Sequence, residues 1–172
     1  MVFGMSLETY TLIHVVISLI GIASGLIVLF GMMSNKRLDG LTTIFVVTTA
    51  LTSTTGFAFP FNGVTPGIIL GILSIAVLAL CVPARYTFHM AGKWRSIYVI
   101  TATLALYFNC FVLVVQSFEK LGSAHVAGKP DTPPSGPAFA AAQGIVLLLF
   151  IVLGIVAGKK FYPDGRTTVS AA

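Results

Sequence analysis

His14 sits inside HVVISLIGIASG, an otherwise apolar stretch, and Ser18, Gly21 and Gly25 follow it at spacings of four, three and four. Those spacings stack the four residues on one helical face. An imidazole with a hydroxyl one turn away can hydrogen-bond a ligand, whereas two glycines four apart let a neighbouring helix come close. The face is therefore either a ligand site or a packing seam.

Other polar side chains in apolar surroundings widen the question. Asn109 and Gln116 lie two turns apart on a face with Ala102 and Ala105; Thr48, Thr52 and Thr55 share another face, and Gln143 clusters with Ala140 and Gly144. At about 1.5 Å of rise per residue, His14, Thr55 and Gln143 fall roughly 8–9 Å inside the outer boundary of a membrane, Thr52 about 12 Å, Asn109 about 15 Å and Gln116 about 5 Å. An amide left without a partner in hydrocarbon costs several kcal/mol, so these groups must point inward. His14, Ser18, Thr52, Thr55, Asn109, Gln116 and Gln143 are thus expected to converge as one polar cluster in the outer half of the bundle. It either joins helices or forms a pocket for a small neutral lipophilic molecule such as a quinone. Packing has the stronger claim, because Gly21 with Gly25, Gly67 with Gly71, and Gly154 with Gly158 all have the small-xxx-small spacing of close helix contacts.

Catalytic and cofactor chemistry finds little support. A haem needs two axial ligands at one depth, or one histidine and an open position. His89 belongs to the opposite end from His14, and His125 to a loop, so haem ranks behind a quinone. No two His, Cys or carboxylate residues have ligand spacing on one helix, which leaves no metal site. Cys81 and Cys110 form no CxxC unit, and their registers differ by about 9 Å of depth, beyond disulfide reach. GxSxG, HExxH and Walker-type motifs are missing. His14 is the only group in the spans that can change charge, too few for an ion pathway. The expectation is a non-enzymatic protein with no cofactor.

The elements that must carry these residues follow from composition. Of 172 residues 56% are hydrophobic and 9% charged, and the mean hydropathy is +0.98. A soluble domain carries near a quarter charged residues, so the chain is an integral membrane protein. Apolar runs of about the 20 residues that cross a bilayer recur five times, at about 9–33, 41–61, 66–82, 96–118 and 137–158. The first is no signal peptide: MVFGMSLETY contains no Lys or Arg, and the apolar core runs on too far. Ser6 is its expected N-cap, with Glu8 in the first turn.

Lys36 and Arg37 mark the first connection, Arg85, Lys93 and Arg95 the third, and Lys159, Lys160 and Arg166 the C-terminal segment. The N-terminus and second connection carry none, and the fourth only Lys120 and Lys129. The positive-inside bias then puts the N-terminus outside and the C-terminus in the cytoplasm. The formal charge of +5 is a matter of topology and membrane-lipid contact; split among short loops, it forms no nucleic-acid patch.

Residues 1–162 read as one transmembrane helical domain, 119–136 as a mobile outer loop rich in Gly, Ser and Pro, and 163–172 as a disordered cytoplasmic tail. Pro83 lacks a backbone donor and predicts a kinked or interfacial segment after the third span.

YFNCFVLVVQSFEK (107–120), with TPPSGPAFAAAQ (132–143) soon after, resembles a group of small uncharacterised bacterial inner-membrane proteins. The resemblance covers mainly the fourth and fifth spans. It implies a multi-pass protein of the bacterial cytoplasmic membrane, directs attention to Asn109, Gln116 and Gln143, and carries no activity or cofactor. The combined expectation is an all-α bundle of five transmembrane helices acting as an accessory or interaction subunit, with a protein partner or a second copy of itself. The alternative is a receptor or carrier for a quinone-like molecule in the outer-leaflet cluster.

Overall fold

A computed structural model describes residues 4–60, 66–123 and 135–162. Five helices follow one another: α1 (Leu7–Met33), α2 (Asp39–Gly56), α3 (Pro66–Val82), α4 (Lys93–Ser123) and α5 (Pro137–Lys160), with a single π turn over Pro83–Thr87 between α3 and α4. Among the described residues there is no strand. α1, α3 extended through the π turn, α4 and α5 are long and apolar enough to cross a membrane. α2 is not among those four.

α2 differs because seven of its 18 residues are threonine. Its hydroxyls are turned back onto its own backbone: Thr42, Thr43, Thr48, Thr54 and Thr55 each donate to the carbonyl four residues earlier at 2.6–3.0 Å. Such back-bonding masks the polar group, so a threonine-rich helix can pack among apolar neighbours.

Local signals explain the helix ends. Ser6 Oγ accepts from the Thr9 amide at 3.1 Å, closing the N-terminus of α1. At the other end Asn35 takes a left-handed φ of 55° and the Lys36 amide reaches back to the Gly31 carbonyl at 2.8 Å, which reverses the chain within a few residues. A Cβ at Gly31 would lie 2.6 Å from Leu38 Cδ1, so glycine lets the Leu38 side chain pack close against the end of α1.

Two expected boundaries need correction. The second span was expected to run to Phe61, but α2 ends at Gly56. There the chain turns, and Phe59 folds back edge-on against Tyr10 and His14, with ring centroids 5.0 and 5.1 Å apart. The outer loop was expected from residue 119, whereas α4 continues through Ser123. Its last turns are held by a Gln116–Glu119 hydrogen bond of 2.9 Å and by Phe118 against Phe139 of α5 at 5.5 Å. The rest of that loop, 124–134, and the tail, 163–172, lie outside the described residues.

α4 packs against α1, α3 and α5, while α1 also carries α2 and α5. The core gathers Leu29 and Met32, Phe45, Cys81, Tyr98, Val99, Ala105, Leu106 and Ala157, all at most 2% exposed. It sits in the half of the bundle nearer the basic connections. Elsewhere large apolar side chains stand uncovered, among them Leu12, Ile72, Ile100, Ile145 and Leu148, each more than half exposed. Apolar surface of that extent suits hydrocarbon and not water.

Candidate functional site

The half of the α1–α2 seam away from the basic connections is built from hydroxyls and one imidazole. His14 Nδ1 lies 2.8 Å from Thr55 Oγ1. The single Thr55 proton goes to the Leu51 carbonyl at 2.6 Å, so Nδ1 must carry hydrogen and donate, a tautomer assigned from the network. Tyr10 Oη donates to the Thr55 carbonyl at 2.8 Å. Ser18 Oγ donates to the His14 carbonyl at 2.7 Å and lies 3.3 Å from Thr52 Oγ1. The polar residues of this seam are bonded within their own helix or across to the next.

One turn deeper, Asn109 Nδ2 of α4 donates to Thr49 Oγ1 of α2 at 3.0 Å, with both residues buried. Thr49 was absent from the expected cluster. The signal for it was its place one turn before Ser53 and one residue after Thr48, on the side of α2 that turns toward α4.

Gln116 and Gln143 do not join this group. α2 and α4 run side by side with Thr49 level with Asn109, so Gln116, seven residues on, is level with Gly56, where α2 ends. It finds no partner helix there, stays exposed, and bonds Glu119 on its own helix. Gln143 belongs to a separate seam, where its Nε2 donates to the Phe111 carbonyl at 3.2 Å and its Oε1 is buried without a partner. The single convergent cluster expected from helical phase is thus divided among three places.

The glycines divide similarly. A Cβ at Gly21 would meet Thr48 Oγ1 at 3.1 Å, at Gly25 Leu106 Cδ1 at 2.6 Å and Phe45 at 2.8 Å, at Gly71 Phe57 at 2.9 Å, and at Gly154 Thr103 Cγ2 at 3.2 Å. Gly158 faces open space and Gly67 is exposed.

The opposite end holds a charged network that sequence reasoning counted only as topology. Arg85, in the π turn, is 2% exposed; its Nη2 contacts Asp39 Oδ1 at 2.6 Å, and its guanidinium lies 4.9 Å from the Tyr98 ring centroid. Arg37 reaches the same carboxylate oxygen at 3.2 Å. Arg95 donates to the carbonyls of Gly158 and Phe161 at 2.9 and 2.7 Å, closing the C-terminus of α5, and lies over Tyr162 at 4.0 Å. The Tyr162 amide donates to Asn35 Oδ1 at 2.7 Å. These contacts bring the start of α2, the π turn, the start of α4 and the end of α5 to one end of the molecule. The available signal was Asp39, the one acidic residue in the first and third connections.

Left-handed backbone at His89 and Met90, with φ of 47° and 60°, folds the chain after the π turn back over Arg85. The Met90 amide bonds the Ala84 carbonyl at 2.9 Å, and Phe88 stacks on Trp94 at 3.8 Å. Burial of the guanidinium depends on this fold-back.

Among the described residues no three His, Cys, Asp or Glu side chains gather closely enough to hold a metal ion, and Cys81 and Cys110 are free thiols. No protein-family model matches the sequence, and neither a curated protein nor a solved structure matches it.

Proposed function

We propose that the chain is a non-enzymatic accessory subunit of an assembly in a bacterial cytoplasmic membrane, crossing it five times with its N-terminus outside and its C-terminus in the cytoplasm. The threonine-rich α2 counts as the fifth span because its hydroxyls are internally bonded and it lies against both α1 and α3. The orientation is supported by the gathering of Arg37, Arg85, Arg95 and the end of α5 at one end through the contacts above.

The subunit reading rests on α5, whose apolar face the rest of the bundle leaves to hydrocarbon or to a partner helix. Ile145, Leu148, Val152 and Ile155 recur at spacings of three, four and three, and each is more than half exposed. α5 is also the least covered of the four long apolar helices. By contrast His14, Ser18, Asn109 and their threonine partners bond one another, as groups that hold helices together do.

A quinone-like ligand keeps one observation in its favour, the unpartnered Gln143 Oε1, which would accept a hydrogen bond from a quinol hydroxyl. One experiment separates the readings. The protein is purified natively in mild detergent with a photo-crosslinking residue at Leu148, and its protein and lipid companions are identified by mass spectrometry beside an absorption spectrum. A stoichiometric protein crosslinked through Leu148 is expected. A bound quinone or a Soret band, with no protein partner, would overturn the subunit reading.

A further inference from the structure

The cations of the charged end fall into two kinds. The arginines are spent inside the molecule: Arg37 and Arg85 share the Asp39 carboxylate, and Arg95 caps α5. Lys36, Lys93, Lys159 and Lys160 are exposed, and among the described residues none of their ammonium groups has an ion pair or a hydrogen bond. In sequence these four belong to three separate segments. The fold gathers them, because each lies within two residues of a contact that ties those segments together. Lys36 follows Asn35 and Lys160 precedes Tyr162, across the 2.7 Å bond between the Tyr162 amide and Asn35 Oδ1; Lys159 follows Gly158 and Lys93 precedes Arg95, across the 2.9 Å bond between Arg95 and the Gly158 carbonyl. Asp39, the one described carboxylate at this end, is already taken.

Apolar surface runs up to this cluster. On α4, Lys93, Ser96, Ile100 and Leu104 follow at spacings of three, four and four; on α5, Leu148, Val152, Ile155 and Lys159 follow at four, three and four. Both rows are exposed along their length, so each is an uncovered helix face, apolar for two turns or more and cationic at its end. Trp94 and Tyr162, half-buried at the same end, are rings of the kind that sit between hydrocarbon and headgroups. A surface with apolar flanks and a cationic rim matches an amphiphile with an anionic head. An acidic protein segment in water would meet the rim alone.

We propose that Lys36, Lys93, Lys159 and Lys160 bind the phosphates of anionic phospholipids whose acyl chains lie along the uncovered faces of α4 and α5. An ammonium group is a compact charge with three donors on a flexible stem, able to follow a moving headgroup, whereas the arginine forks are fixed on their internal acceptors. A phosphodiester with an uncharged headgroup leaves its negative charge to the lysines; a choline headgroup brings a cation of its own and weakens the attraction. The proposal rests on the chain lying in a bilayer, and only its leaflet rests on the orientation proposed above.

The test is native mass spectrometry of the full chain in mild detergent, titrated with phosphatidylglycerol and separately with phosphatidylcholine of the same acyl chains. Phosphatidylglycerol should be retained at least tenfold more tightly. Since the four ammonium groups make no internal bond, changing all four lysines to glutamine should remove that preference while the melting temperature holds. Lys159→Gln alone should lower it by about fivefold, and Lys120→Gln, at the opposite end, should leave it unchanged. Equal retention of the two lipids, a preference that survives in the quadruple variant, or an equal loss at Lys120 would overturn the proposal. Polyglutamate is added as a competitor; if it displaces phosphatidylglycerol at matched charge, the surface belongs to an acidic protein segment and the proposal fails. Should the quadruple variant fold poorly, phosphatidylglycerol with a photoactivatable headgroup decides with the unaltered protein: crosslinks concentrated at 93–96 and 155–160 uphold it, and crosslinks spread equally over both ends overturn it.

Discussion

The two ends of the bundle are held by different chemistry. In the half away from the basic connections neutral groups meet: an imidazole, hydroxyls and one amide bond at 2.8–3.3 Å across α1, α2 and α4. At the other end charged groups meet: Arg85 is enclosed against Asp39 and Tyr98, and Arg95 closes the last turn of α5. Neutral bonds between membrane helices contribute about 0.6 kcal/mol each, because the separated helices also find partners. Removing one member of an enclosed ion pair costs far more, since the other charge is stranded. The charged end should therefore be the rigid part of the molecule and the hydroxyl seam the part that tolerates change.

The largest expected effect comes from stranding Arg85. Asp39→Asn should destabilise the bundle by about 2–3 kcal/mol, below the roughly 3–5 kcal/mol of a fully enclosed pair because solvent reaches Asp39; its side chain is 66% exposed. Adding Arg85→Met should recover most of that loss, as an apolar side chain strands no charge. Thermal unfolding in detergent reads both, and a double variant less stable than Asp39→Asn alone would contradict the assignment.

Next in size is Gly25→Ala, which pushes a methyl against Leu106 and Phe45 and should cost about 1–3 kcal/mol by overpacking. Gly158→Ala is its control, since that position faces open space; its melting temperature should hold or rise slightly. Equal losses at the two glycines would show that helix geometry, and not contact, governs both.

Arg95→Ala leaves the carbonyls of Gly158 and Phe161 without their donor and should cost about 1–2 kcal/mol. Hydrogen exchange should report the change chiefly in the last turn of α5. Uniform deprotection of the whole chain would count against a local cap.

The smallest effect is expected at His14. His14→Gln keeps a donor for Thr55 and should change stability by less than about 1 kcal/mol. A loss rivalling that of Asp39→Asn would reverse the ranking of the two ends.

Much of this was legible in the sequence. The apolar runs fix where helices lie, since a chain in hydrocarbon must satisfy its backbone internally. Gly21 and Gly25 mark a close contact because a missing Cβ leaves room that only another helix can fill. Helical phase also pairs His14 and Ser18 with Thr55 and Thr52, because α1 and α2 are antiparallel neighbours joined by a short turn. Phase did not reveal that Gln116 stands beyond the end of α2, for that depends on how two separate helices are staggered. Nor did it reveal Arg85: a cation beside a proline at a membrane boundary reads as a topology signal. Its burial follows from the left-handed fold-back at His89 and Met90, which no composition rule announces.

If polar groups inside the bundle serve packing, Asn109 and Thr49, bonded at 3.0 Å, must stabilise it as a pair. Thermal unfolding is measured for Asn109→Leu, Thr49→Val and the double variant, with the quinone content of each preparation. The packing account predicts that each single variant loses stability, that the double loses clearly less than the sum of the two, and that quinone content does not change. Additive losses, or loss of a co-purifying quinone without loss of stability, would contradict it.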